Sequence, residues 1–411
     1  MATVREQLRV YRAYDRGFSP WRGWCAALRG YGASRRLRAA RPGAARARLL
    51  LAGRCLLTTQ PHGLDGSLLG RRIARAIRDA YVTEHWAHAS APAPPTDIAG
   101  IVAEALRPRD GFYLHRYGGI VLKAPRAEGG RVVERGVLYL THGFVFRFFH
   151  DCIDMPALLD DYTLMVQPGW SAYADRNVLD FTRYPEHAVL LGVSDERDER
   201  FIAGLQSNIE PLAIGSGDWA DISTFFPLPD EPKVYDAVLV AKWAVFKRHH
   251  VLLRTLRRAA RAGRPLRVAM VGADNAELRA LIAHFGVERL VDVFGRVSQA
   301  EVNRIVNQSY VTLLLALQEG GNRSIFEGYF ADVPALVLRR NVGVDKRCIN
   351  AQTGRLIHER ELAEAIRWCR DHAADFAPRA WALAHIGGLD AETEAAAEAA
   401  AAEEAASEPV D

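Results

Sequence analysis

Cysteine is scarce and scattered in these 411 residues. The five, Cys25, Cys55, Cys152, Cys348 and Cys369, are odd in number and contain no C-x-x-C pair. That argues against a disulfide framework or a zinc site and implies a reducing compartment. No unbroken apolar run approaches the roughly 18 residues that a membrane-spanning helix needs. The opening residues, Met1 to Arg12, carry charges where a signal peptide would be apolar, so the sequence reads as cytoplasmic. No G-x-G-x-x-G closes a strand, which disfavours a dinucleotide. No D-x-D stands at a strand end, and Asp160-Asp161 reads as a helix-end pair rather than as metal ligands, so no metal or other cofactor is expected. Nucleic-acid-binding motifs are missing as well.

What is present is a chain long enough for two or three domains, with 49% hydrophobic residues to build their cores. A net charge of +4 hides an asymmetry. Residues 1–50 hold twelve arginines and two acidic residues, a net of +10, whereas residues 390–411 hold eight acidic residues and no basic one. The basic segment, with Trp21, Trp24 and Tyr31 among its arginines, suits peripheral contact with anionic lipid at the inner face of a membrane. The acidic end is alanine- and glutamate-rich without an apolar stripe, and reads as a solvated helix or as disorder.

Taken in order, residues 1–50 read as a basic helical extension. Arg54 to Thr59 reads as a strand, Gln60 to Gly70 as a glycine-punctuated loop, Arg71 to Tyr81 as a helix and Ala89 to Pro95 as a linker. VLYLTHGF is a short apolar strand ending at His142 and Gly143. Further strands are expected at Tyr162 to Val166 and Ala188 to Val193. Pro227, Pro229 and Pro232 mark a domain boundary near residue 232. From Tyr235 onward short buried strands alternate regularly with amphipathic helices, the pattern of a parallel sheet covered on both faces. The expected domains are 1–50, 51–232, 233–388 and 389–411.

Leu313 to Val337, LLLALQEGGNRSIFEGYFADVPALV, carries the chemistry. A Leu-rich strand ends at Gln318, Gly320-Gly321 permits a sharp turn, Asn322 caps a helix from Arg323 to Phe330, and Asp332-Val333-Pro334 stops it before a strand from Ala335 to Leu338. Glu319 then stands at a strand's carboxyl end, where open parallel sheets bind ligands, and Glu327 on the helix behind it. The helix start near Asn322, Arg323 and Ser324 favours phosphate, while the two carboxylates suit sugar hydroxyls. Earlier, AKWAVFKRHH places Lys242 at a strand end and Lys247 where the next helix opens, as fixed positive charge for a leaving diphosphate. Arg248, His249 and His250 read as that helix's solvated face. Ser298 caps a helix beginning at Gln299.

EGGNRSIFE resembles the E-x7-E signature of the retaining GT-B glycosyltransferases of family 4, and FADVPALVLRRNVGV with NAQTGRLIHERELAEAI is similar to that family's continuation. The resemblance is good over 209–385, moderate over 136–208 and poor before that. It implies two Rossmann-like domains facing a central cleft, the first binding the acceptor and the second a nucleotide-diphosphate sugar. It gives Glu319 the transferred sugar, Glu327 the ribose, Lys242 and Lys247 the diphosphate, and the backbone around Val297 the base. Gly320, Gly321, Asn322, Arg323 and Ser324 complete the donor set, and His142 reaches the sugar from the first domain. The implied reaction moves a hexose to a saccharide or lipid-linked acceptor with retention, in surface polysaccharide or glycolipid synthesis, without a metal. Three alternatives stay open: a nucleotide-sugar epimerase, an inactive donor-binding protein and a membrane-peripheral scaffold. Base, sugar and acceptor are not legible.

Overall fold

A computed structural model describes residues 3–17, 25, 28, 31–32, 119–169, 176–204, 206–320 and 322–386. The readings made for Arg54 to Pro95, for Gly321 and for the acidic end at 389–411 lie outside the described residues. The chain divides into two compact units, Phe18–Gly215 and a second formed by Met1–Gly17 together with Ser216–Asp411. The division falls ahead of the proline cluster at Pro227 to Pro232, and it assigns the first seventeen residues to the carboxyl-terminal unit.

In the unit Phe18–Gly215, five strands line up as β1 (Gly119–Lys123), β4 (Gly136–Thr141), β5 (Tyr162–Gln167), β6 (Val189–Gly192) and β7 (Ile209–Leu212). β4 to β7 run parallel and β1 lies antiparallel on β4. β2 (Arg126–Glu128) and β3 (Arg131–Glu134) form a separate hairpin, closed by Gly129 and Gly130 at φ 57° and 78°. Both signs are positive, as a tight two-residue turn requires. After β4 comes helix α2 (Gly143–Cys152), and α3 (Met155–Asp161) ends at the Asp160-Asp161 pair as its sequence suggests. α4 (Glu196–Ala203) opens on Asp195, whose side chain accepts from the Asp198 amide.

The carboxyl-terminal unit holds six parallel strands: β8 (Ala237–Val240), β9 (Val268–Val271), β10 (Val291–Phe294), β11 (Thr312–Leu314), β12 (Ala335–Leu338) and β13 (Gly354–Ile357). Every residue of β9, β11 and β12 is buried, so both sheet faces are covered. The helices are α5 (His249–Arg261), α6 (Ala276–Phe285), α7 (Gln299–Asn307), α8 (Arg323–Phe330), α9 (Leu362–Asp371) and α10 (Pro378–His385), joined by an amino-terminal helix, α1 (Val4–Gly17). The spans of α5 to α8 follow the apolar periodicity to within a residue or two. Asn275 caps α6 and Ser298 caps α7, each accepting an amide hydrogen three residues on.

Strand order is β10-β9-β8-β11-β12-β13. The chain starts in the middle at β8, builds outward through β9 and β10, then crosses back to β11 on the other side. Both units are therefore α/β with Rossmann-like parallel sheets, the class expected from the sequence. The reversal leaves a crevice at the carboxyl ends of β8 and β11, the place where doubly wound sheets take their ligands.

Candidate functional site

The loop after β8 carries both lysines, and the segment after β11 carries Glu319. Lys247 Nζ donates to Glu319 Oε1 at 2.6 Å, with side chains only 14% and 6% exposed. A contact across 72 residues of sequence thus forms at the switch point. Burial pushes the Glu319 carboxyl up from its ordinary range, while Lys247, Asn322 and Lys242 pull it the other way. Lys242 itself is exposed. Both lysines stand over the Phe246 ring, with Nζ 5.9 Å and 5.3 Å from its centroid.

Glu319 is held by its backbone as well as by its partners. Its amide donates to Val342 O at 2.8 Å, and the Val342 amide returns to Leu317 O at 2.9 Å. Asn341 Nδ2 donates to Ala316 O at 2.9 Å, tying the same two segments together. Gly343, at φ 98°, lies so close that a Cβ would run into the Glu319 carbonyl. The loop after β12 therefore sets where the Glu319 side chain starts.

α8 begins behind it. Asn322 occupies the cap position but does not cap with its side chain. Its Oδ1 accepts instead from Ser324 Oγ at 2.5 Å, and its side chain also hydrogen-bonds Glu319. The first amides of α8 lack intrahelical partners, as at any helix start. Ile325 to Phe330 are all buried. At Gly328 an added Cβ would come within 2.6 Å of Thr312, so β11 and α8 meet at a point where only glycine fits. Glu327 is 8% exposed, and Arg323 Nε lies 3.7 Å from its Oε1. Burial pushes its carboxyl up, opposed by Arg323. Gly320 lies in the turn between Glu319 and α8.

Val297 is half-buried in the loop after β10, packed against Tyr235, Ile305 and their neighbours. That loop lies two strands from β8, about 10 Å at ordinary strand spacing. Between them Gly272, at φ 94°, ends β9 with its α-carbon face against the backbone of Ala241 and Lys242. The carboxyl ends of β8, β9 and β10 thus present one continuous shelf of backbone. The sequence reading passed over Gly272, whose signal was a glycine at the end of an apolar strand.

His142 stands at the end of β4, as its sequence suggests, in the other unit. It adopts φ 70° and ψ 133° ahead of α2 and donates its amide to Gln167 O at 2.9 Å. A positive φ at a non-glycine residue is strained and is held only by its surroundings. Gly169 lies directly against the imidazole, leaving no room for a side chain. His150, nearby in sequence, is buried beside Phe181 with Nε2 3.2 Å from Asn177 O, which accounts for it as a core residue.

A further expectation is overturned. Arg248, His249 and His250 are not a solvated face, since they are 3%, 1% and 5% exposed. The covering groups come from far away in sequence: Asp15 on α1, Glu359 after β13 and Leu315 after β11. Among the described residues no cluster of three or more His, Cys, Asp or Glu is arranged to hold a metal.

Residues 225–372 match the family model of Glycosyl transferases group 1. The chain carries a glycosyl transferases group 1 domain. Every carboxyl-terminal residue discussed above, from Lys242 to Glu359, falls within that group 1 domain. No curated protein matches the chain. Among solved structures, a mutant of S. aureus TarM in complex with Fondaparinux, alpha-GlcNAc-glycerol and UDP aligns over 63% of this chain and 54% of its own, at 12% identity and a TM-score of 0.49. Sucrose-phosphate synthase from Thermosynechococcus elongatus aligns over 66% and 72%, at 14% identity and a TM-score of 0.49. This chain spans about half the length of TarM. No helix among the described residues is long and apolar enough to cross a membrane.

Proposed function

We propose that the chain is a retaining glycosyltransferase of the family 4 type, moving a hexose from a nucleotide-diphosphate sugar to a hydroxyl of a saccharide or lipid-linked acceptor. The observation that supports this reading is the buried Lys247–Glu319 pair at the β8/β11 switch point, beside the start of α8. The two side chains satisfy each other. A donor gives each its proper partner: Lys247 and Lys242 turn to the diphosphate, whose charge grows as the glycosidic bond breaks, and Glu319 accepts from sugar hydroxyls. Glu327 takes the ribose hydroxyls, Arg323, Ser324 and the first α8 amides take phosphate oxygens, and the shelf from Gly272 to Val297 takes the base through its backbone. In this reading the lysines carry the charge that a metal carries in other transferases. No enzyme nucleophile is needed if the leaving phosphate accepts the acceptor's proton on the face it leaves, and the new bond then forms there with retained configuration. The product is a surface polysaccharide or glycolipid.

Calorimetric titration with UDP-, GDP- and ADP-sugars, in chelator, tests the site. One nucleotide class binds, and Glu327→Ala and Lys247→Ala each weaken it by about 1 kcal/mol or more, the scale of a lost charge-assisted hydrogen bond. A folded chain that binds none of them rules the reading out. NMR of the product's anomeric proton then reads the stereochemistry.

A further inference from the structure

We infer that α1 is part of the donor site, with Asp15 acting through Arg248 as the positioning residue that holds Lys247 where the diphosphate lies. This rests on the role proposed for Lys247. It adds to that role a segment that no donor motif contains.

α1 has two faces. Gln7 and Tyr11 are buried and Leu8, Tyr14 and Asp15 half-buried, whereas Arg5, Arg9, Arg12 and Arg16 are exposed. The inner face sits on the lysine loop. The Tyr11 ring lies 4.2 Å from that of His250 and 6.2 Å from that of Trp243, edge-on to the indole. Trp243 stands between Lys242 and Lys247, and its Nε1 donates to Glu277 at 3.0 Å. One turn further along α1, Asp15 Oδ1 accepts from Arg248 Nε at 2.7 Å and Oδ2 lies 3.2 Å from His250 Nε2.

Arg248 is the hub. It follows Lys247 directly and takes a left-handed backbone, φ 56° and ψ 40°, that few non-glycine residues adopt. Its guanidinium donates from Nη1 to Leu315 O at 3.1 Å and from Nη2 to Glu359 Oε2 at 2.7 Å. One side chain therefore joins the loop after β8, the end of β11, the segment after β13 and α1. Guanidinium does not lose its proton, so a buried one must keep its counter-charges. Cations are crowded here: Arg254 pairs with the same Glu359, and the half-buried Arg340 lies near enough to feel Arg248. Asp15 and Glu359 are the carboxylates that offset them. Without Asp15, Arg248 has no anion on the α1 side and loses one of the three side-chain contacts that anchor its left-handed position, and the residue just before it is Lys247.

The test is titration of the full-length chain and of Asp15→Asn, Asp15→Glu and Glu359→Gln with UDP, GDP and ADP, then with the monophosphate of whichever base binds. Asp15→Asn lowers diphosphate affinity about tenfold and changes monophosphate affinity less than twofold, because the role proposed for Lys247 is at the phosphate that a monophosphate lacks. Asp15→Glu recovers most of that loss. Glu359→Gln, which removes the other counter-charge from a different element, shows the same diphosphate-selective loss and stands as the test if Asp15→Asn does not fold. Wild-type diphosphate affinity in folded Asp15→Asn, or equal loss of both ligands, overturns the inference while leaving the donor site intact. A wild-type chain that binds none of the three diphosphates overturns the donor site and this inference together.

Discussion

Glu319 is fixed more by backbone than by side-chain contacts. Its amide and carbonyl are enclosed by Val342 and Gly343, so the carboxylate has little freedom to search for Lys247 or for a hydroxyl. Gly343 carries most of that restriction, being left-handed and lacking room for a methyl group. Gly343→Ala is accordingly expected to cost about 2–3 kcal/mol in urea unfolding, from overpacking and a disfavoured φ together, and to abolish donor binding in whatever protein remains folded. Unchanged binding in the variant would show that Glu319 tolerates a shifted backbone. The two glutamates themselves were legible, since their spacing across a glycine turn and a short helix is a sequence feature. Gly343 was not, because the need for positive φ arises from what the next strand's loop must touch. The pairing of Lys247 with Glu319 was equally hidden: each was readable as a ligand group, but their contact depends on β8 and β11 being neighbours.

At the scale of elements, α8 shows packing overruling local preference. Glycine inside a helix costs about 1 kcal/mol against alanine, yet Gly328 lets α8 lie directly on β11. Gly328→Ala should therefore destabilise the chain by about 1–3 kcal/mol despite its better helix propensity, and the separation of β11 from α8 should grow. Denaturant midpoints measure the first and a crystal structure of the variant the second, and a stabilised variant would mean that Thr312 can turn away. The helix bounds of α8 were readable from Asn322 and from Asp332-Val333-Pro334, but the cap was not as expected, because Asn322 turns toward Ser324 and Glu319 instead of closing the helix. α5 was misread for a different reason. Arg248, His249 and His250 look like a charged, solvated start, and nothing local says that α1 comes back over them.

For the whole molecule, the alternation of buried strands and amphipathic helices made the carboxyl-terminal α/β unit legible and the family resemblance implied the other, while the order β10-β9-β8-β11-β12-β13 came only from the tertiary arrangement. Asp15 gives the folded chain a specific acid response. Its partners Arg248 and His250 hold its carboxyl at about 2, below the ordinary carboxylate range, even against burial. A depressed folded value contributes stability that is complete above the unfolded pKa and is lost as pH falls through the folded one. Wild type is therefore expected to lose about 1–2 kcal/mol more than Asp15→Asn between pH 5 and pH 2. Glu319 and Glu327 act in the opposite sense: burial raises them, so the stability tied to their protonated forms is lost as pH rises from the ordinary carboxylate value through their raised one. Urea unfolding of wild type and variant at a series of pH values measures the difference, and parallel curves would mean that Asp15 titrates as an ordinary surface carboxylate.

The docking of α1 also fixes an order of events at the ribosome. Asp15 and Arg248 are 233 residues apart, and at about 5–20 residues per second that interval takes roughly 10 to 50 s. Throughout it Tyr11 and Tyr14 are without the surface that later buries them, and the arginine-rich segment is exposed to whatever anionic polymer or chaperone is nearby. A helix translated early thus stays unplaced until the segment around Arg248 has been made.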